Sequence, residues 1–158
     1  MNMKQWMKDV IAAPRKKAMP ILSFPSAELL GCDVRSLVSD SEMQAEGIRR
    51  IAGRLDMLAA VSLMDLSVEA EAFGAQVRFS DSEVPAVTGA LVTSRKEAEE
   101  LKVPGVDAAR CPVYTEAIRK VCRTVTDRPV FAGVIGPFSL AGRLMDVSEA
   151  MVNCYVDP

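Results

Sequence analysis

Apolar positions along the chain follow two spacings. Met3, Trp6, Met7, Val10 and Ile11 recur at helical intervals, and Pro14 closes that stretch. An apolar run over residues 18–24, bounded by Pro20 and Pro25, fits a buried strand, and residues 26–30 read as a short helix stopped by Gly31. Asp40 is placed to cap a longer helix over residues 43–55. Residues 57–64 are almost wholly apolar, which suits a parallel strand covered on both faces, and the run ends abruptly at Asp65. A helix over 67–73 closes at Gly74, and residues 76–79 and 86–92 predict short strands of a hairpin beside the main sheet. Ser94 and Glu97 have the spacing of a capping box and open a helix to Leu101. Residues 103–109 read as loop, Pro112 suits a helix start, and 113–125 carry a helical face. A third buried strand spans 129–135 and leaves through Gly136 and Pro137, followed by helices over 139–144 and 147–155. Strands alternating with helices predict a parallel α/β fold.

In such folds chemistry gathers where strands end. The three strand exits present Ser23, Phe24 and Pro25, then Asp65, then Gly136, Pro137 and Phe138. Asp65 is the sharpest of these. It is placed either to cap the helix that follows or to hold a cationic or N–H-rich ligand, or to serve as an acid or base. Gly133 and Gly136 allow either a tight turn or a ligand close to the main chain. Their spacing matches no nucleotide-binding loop. Glu69 and Glu71 point to different helix faces and are not a carboxylate pair. The nine methionines are scattered and read as core filler.

Composition narrows the function. Hydrophobic residues make up 49% and charged residues 25%, as in an ordinary globular domain. Net charge is −2, and the basic run Arg15, Lys16, Lys17 reads as a solvated linker, so nucleic acid is not an expected partner. No stretch approaches the ~20 apolar residues of a membrane span. The start lacks a signal-peptide core, so a cytoplasmic location is expected. The chain has no histidine, which excludes a Ser-His-Asp triad, a Cys-His dyad and a histidine-based zinc site within it. Cys32, Cys111, Cys122 and Cys154 form no Cys-x-x-Cys pair and read as four buried thiols, so no metal site is expected.

Several segments together resemble the uroporphyrinogen decarboxylase and cobalamin methyltransferase superfamily. One runs from Leu58 to Asp65, with Glu69 to Gly74 after it. Val77 to Phe79 and Val84 to Val87 follow, and the last is Gly133 to Gly142. The resemblance covers nearly the whole chain from Pro20. It implies the N-terminal part of a (β/α)8 TIM barrel, with about three parallel barrel strands, their helices and a small β excursion. A full barrel needs roughly 250 residues. The expectation is therefore a single incomplete domain over 1–158, with a helix and basic linker over 1–17 and the first βα units over 18–158. A fragment or truncated product is expected, one that self-associates or pairs with a complementary half-barrel chain.

Two branches of the superfamily compete. In the decarboxylases the first strand leads into an arginine-bearing segment that grips substrate carboxylates, whereas residues 22–28 here hold no arginine. Unpaired carboxylates in a site are costly, which turns the reading from decarboxylation. The segments 23–26 and 136–142 resemble more the methylcobamide:coenzyme M methyltransferases. That resemblance implies methyl transfer from a corrinoid protein to a thiol bound as thiolate on zinc. The zinc ligands of that branch, a His and Cys residues, belong to the later half of the barrel. The resemblance thus implies no cofactor in this chain itself, with zinc and a partner-borne corrinoid in the full-length family, and an inactive chain when alone. It carries over Asp65, which in the decarboxylases contacts pyrrole N–H groups, as a site-lining residue. Uroporphyrinogen decarboxylation and a non-catalytic half-barrel that assembles with a partner are the alternatives.

Overall fold

A computed structural model describes residues 1–22 and 24–156. In chain order the elements are α1 (Met3–Ala12), α2 (Pro25–Leu30), α3 (Val34–Ser39), α4 (Ser41–Arg54), β1 (Ala60–Val61), α5 (Val68–Ala72), β2 (Gln76–Arg78), β3 (Ala86–Thr88), α6 (Arg95–Glu100), α7 (Cys111–Thr124), β4 (Val130–Phe131), α8 (Pro137–Met145) and α9 (Val147–Val156). One compact unit comprises residues 1–64 and 114–133, and a second comprises 65–113 and the residues from Val134 onward.

In the first unit β1 and β4 pair in parallel, Ala60 with Val130 and Val61 with Phe131. The amides of Ala60 and Ser62 donate to the carbonyls of Pro129 and Phe131, both at 2.9 Å. These are the second and third expected strands, each shorter than its apolar run. The expected first strand over 18–24 is a correction: its described residues form no strand, and two rather than three barrel strands are present among the described residues. Pro20 lacks the N–H a ladder needs. Ala18 nonetheless accepts a 2.8 Å bond from the Leu58 amide.

The core of this unit is the apolar stripe of α4, built from Ala45, Ile48, Ile51 and Ala52. It packs with Met57 and Ala60 around β1, with Val121 of α7 and with Val125 just past that helix. Asp40 caps α4 as expected, accepting from the amides of Glu42 and Met43 at 2.6 and 3.0 Å. The sequence pattern did not single out α3; Asp33 starts it, accepting from the Ser36 amide. Helices α2 and α4 meet at Gly47, where a Cβ would lie 2.8 Å from that of Ser26. The basic run is exposed and lies outside any helix or strand, with two of its side chains tethered. Lys16 Nζ donates to the last carbonyls of α1, Val10 and Ile11, at 2.7 Å each, and Lys17 pairs with Asp56 at 2.5 Å.

In the second unit β2 and β3 form the expected antiparallel hairpin, with Val77 opposite Val87. Ala70, Ala75, Val92 and Leu144 make its core, joined by Phe73, Leu91, Leu140 and Met145. The Leu144 carbonyl accepts from the amides of both Leu91 and Val92, which anchors the segment after the hairpin to the end of α8. Gly74 closes α5 with φ +102, a conformation that favours glycine. The box at Ser94 is half formed: Ser94 Oγ accepts from the Glu97 amide, but Glu97 reaches back to Thr93 instead. Among the described residues the strands form two two-stranded sheets and neither closes into a barrel. No helix among the described residues is long and apolar enough to cross a membrane.

Candidate functional site

Asp65 follows the apolar run that contains β1 and belongs to the second unit, where its side chain is 1% exposed. Its Oδ1 accepts from the Ser67 amide at 2.9 Å and from Ser67 Oγ at 2.6 Å, which fixes the entry to α5. Its Oδ2 accepts from Arg110 Nη1 at 2.7 Å. The same guanidinium donates from Nε to Glu71 Oε2 at 2.6 Å and from Nη2 to Ser67 Oγ at 2.8 Å. Its Cζ lies 4.7 Å from the centroid of the Phe79 ring, a cation–π contact. One arginine thus ties α5, the end of β2 and the start of α7 together.

The backbone contributes as well. Ala109 has φ +47, a left-handed conformation that costs an L-residue roughly 1–2 kcal/mol. It immediately precedes Arg110, and such strain persists where surrounding contacts over-determine the geometry. On the other side of α5, Glu69 Oε1 accepts from the Ile135 amide at 3.1 Å. The two glutamates therefore serve different partners, as their spacing predicts. Glu69 also brings the third-strand exit to the helix that Asp65 opens.

Of the residues expected to line a site, Asp65, Gly136, Pro137 and Phe138 all lie in the second unit. Gly136, Pro137 and Phe138 are exposed, Phe138 at 51%. Nothing lies within 4 Å of a Cβ built at Gly136. Gly133 is different: the Met64 thioether fills the space its missing Cβ leaves, so this glycine accommodates a side chain of the protein. Its amide donates to Ser62 Oγ at 2.8 Å. Phe24 is half-buried in the first unit, and Ser23 lies outside the described residues. Arg110 is the residue that sequence reasoning missed. Its one signal was indirect: a carboxylate emerging from an apolar run needs a cation.

The thiols do not fit a metal. Burial raises the pKa of Cys111, with the charges of Glu69 and Glu71 adding to it, and burial also raises that of Cys32, which disfavours the thiolate zinc requires. Cys122 and Cys154 are exposed, which corrects the expectation of four buried thiols; each sits on an outward helix face. No group of three His, Cys, Asp or Glu among the described residues could hold a metal ion. The residues present do not assemble the zinc centre that the resemblance implies for a full-length protein.

The family model for uroporphyrinogen decarboxylase (URO-D) matches residues 5–158. The chain belongs to the URO-D family. Among solved structures it is similar to a methyltransferase from Methanosarcina mazei, with a TM-score of 0.79 and 21% sequence identity. That match covers 98% of this chain and 48% of the other, so the chain spans about half of that protein's length. No curated protein sequence matches it. The expected α/β barrel-type fold is thus borne out.

Proposed function

We propose that the chain is part of a corrinoid-dependent methyltransferase, of the kind that moves a methyl group from a methylated corrinoid protein to a thiol such as coenzyme M. The observation that carries this is a fold shared over 98% of the chain with a methyltransferase, inside the URO-D family. The segment over residues 22–28 supports it, having no arginine to meet a polycarboxylate. The chain's own part is a framework. Arg110 fixes α5 through Asp65 and Glu71, α5 carries Glu69, and Glu69 holds the exit that presents Gly136, Pro137 and Phe138. No catalytic step is assigned to this chain. The zinc and its ligands belong to a complementary half-barrel, and the chain alone is inactive. The outward face of α9 supports such a partner or self-association, with Val147, Met151 and Tyr155 exposed along one stripe.

The test is methyl transfer from methylcobalamin to coenzyme M, followed by the cobalamin spectrum. The chain alone should show no turnover, and adding a zinc-loaded C-terminal half from a corrinoid methyltransferase should restore it. Turnover by the chain alone, or conversion of uroporphyrinogen to a decarboxylated product, would overturn this reading. The second outcome would establish the decarboxylase alternative. Light scattering of the chain alone should show association, and a strict monomer would remove self-association.

A further inference from the structure

A cleft of about 500 Å³ opens in the first unit, between α1 and the segments that lead into β1 and β4. This volume falls in the range of small-molecule sites. One wall is apolar, formed by Trp6 and Val10 of α1 with Met57 and Leu58. Trp6 is half-buried and meets Phe131 edge to face at 5.8 Å, so its ring is held in place. The other wall is charged, and its charges are almost all committed. Lys17 holds Asp56. Arg128 holds Asp127 at 2.7 Å and donates to the carbonyls of Leu55 and Met57. Lys16 caps α1, and Asp9 accepts from the side-chain Nε2 of Gln5 at 2.8 Å. These bonds hold the Asp56 and Asp127 carboxyls below the usual carboxylate range, Lys17 and Arg128 being the respective causes. Arg15 lines the cleft with no hydrogen bond or ion pair among the described residues, and its charge reaches Asp56 only as the smallest of the causes that lower that carboxyl.

Arg15, Lys16, Lys17 and Arg128 face Asp9, Asp56 and Asp127 across the cleft, so its charged wall carries one positive charge in excess. An apolar wall with a held indole beside such an excess matches an amphipathic anion. We propose that this cleft binds a small molecule with an apolar or aromatic body and a single anionic group, the body against Trp6 and the anion on Arg15. The proposal does not depend on methyl transfer, because none of these residues belongs to the cluster around Asp65.

Trp6 is the only tryptophan of the chain, so its emission reports this cleft alone. The full chain would be titrated with 3-phenylpropionate, with 3-phenylpropionamide and 3-phenylpropylamine as the neutral and cationic counterparts. The carboxylate should give a saturable, one-site change in Trp6 emission. The amide should bind roughly tenfold more weakly and the amine not at all, the margin expected for one charge-assisted hydrogen bond. Arg15→Glu should weaken the carboxylate by at least about tenfold while leaving the melt unchanged. Arg143→Glu, at an exposed arginine of the second unit, should leave affinity unchanged. Absence of a saturable change overturns the site. Equal binding of the amine or amide, or an unaffected Arg15→Glu variant, overturns the role of the anion.

Discussion

Replacing Arg110 with methionine keeps an unbranched apolar stem and removes the guanidinium with its charge. The hydrogen bonds to Asp65 at 2.7 Å, Glu71 at 2.6 Å and Ser67 at 2.8 Å vanish. The Asp65 side chain is 1% exposed and that of Arg110 10%, so water cannot take over the lost bonds without opening the site. Bonds to charged groups are worth about 1.5–3 kcal/mol each, but they share one desolvation cost and do not add. Removing one partner of a buried pair costs about 3–5 kcal/mol, and that is the expected loss. It is measured as the difference in unfolding free energy from urea titrations followed by far-ultraviolet circular dichroism. Asp65→Asn alone should also destabilise. The double variant should lose less than the sum, by about 1–3 kcal/mol, because each single change strands the other group. If Arg110→Met costs under about 1 kcal/mol, or the two changes are additive, the cluster does not organise this unit and the reasoning fails.

Other residues give independent tests. Gly47→Ala should cost about 1–3 kcal/mol, since the new Cβ would lie 2.8 Å from Ser26 Cβ, and Ser26→Gly in the same chain should recover part of it in urea titrations. Ala109→Gly should stabilise by up to about 1 kcal/mol, because glycine adopts φ +47 without strain; a loss would show that the left-handed turn is unstrained. Hydrogen bonds from Arg49 and then Arg50 lower the pKa of Glu46 to about 2, from 4.5. Its contribution to stability is therefore present above pH 4.5 and lost as pH falls through about 2. Carboxyl NMR should show that midpoint, and Arg49→Gln with Arg50→Gln should return it toward 4.5.

Much of the fold was legible because local signals agreed with the final structure. Asp40, Gly31, Gly74 and Pro112 mark helix ends by mechanisms that act within a few residues. The hairpin at Val77 and Val87 was likewise local. Strand extents were not. A ladder exists only where a neighbour pairs, and residues 57–64 keep a paired segment of Ala60–Val61. Helix α3 escaped notice because Val34, Leu37 and Val38 make too short a stripe to stand out, although Leu37 and Val38 are fully buried. Asp65 could be singled out because a carboxylate ending an apolar run is conspicuous. Arg110 could not, because it lies 45 positions away in sequence, in a stretch without periodicity, and only the fold brings it to Asp65.

The cluster also limits how the sequence can change over time. Asp65 and Arg110 neutralise one another at two distant points of the chain, so a substitution at either is punished until the other follows. Single-step replacement is closed at these positions. A lineage leaves this arrangement only by a paired exchange, or through an intermediate already stable enough to carry a stranded charge. Related sequences should therefore show positions 65 and 110 changing in concert, as a charged couple or as an apolar one.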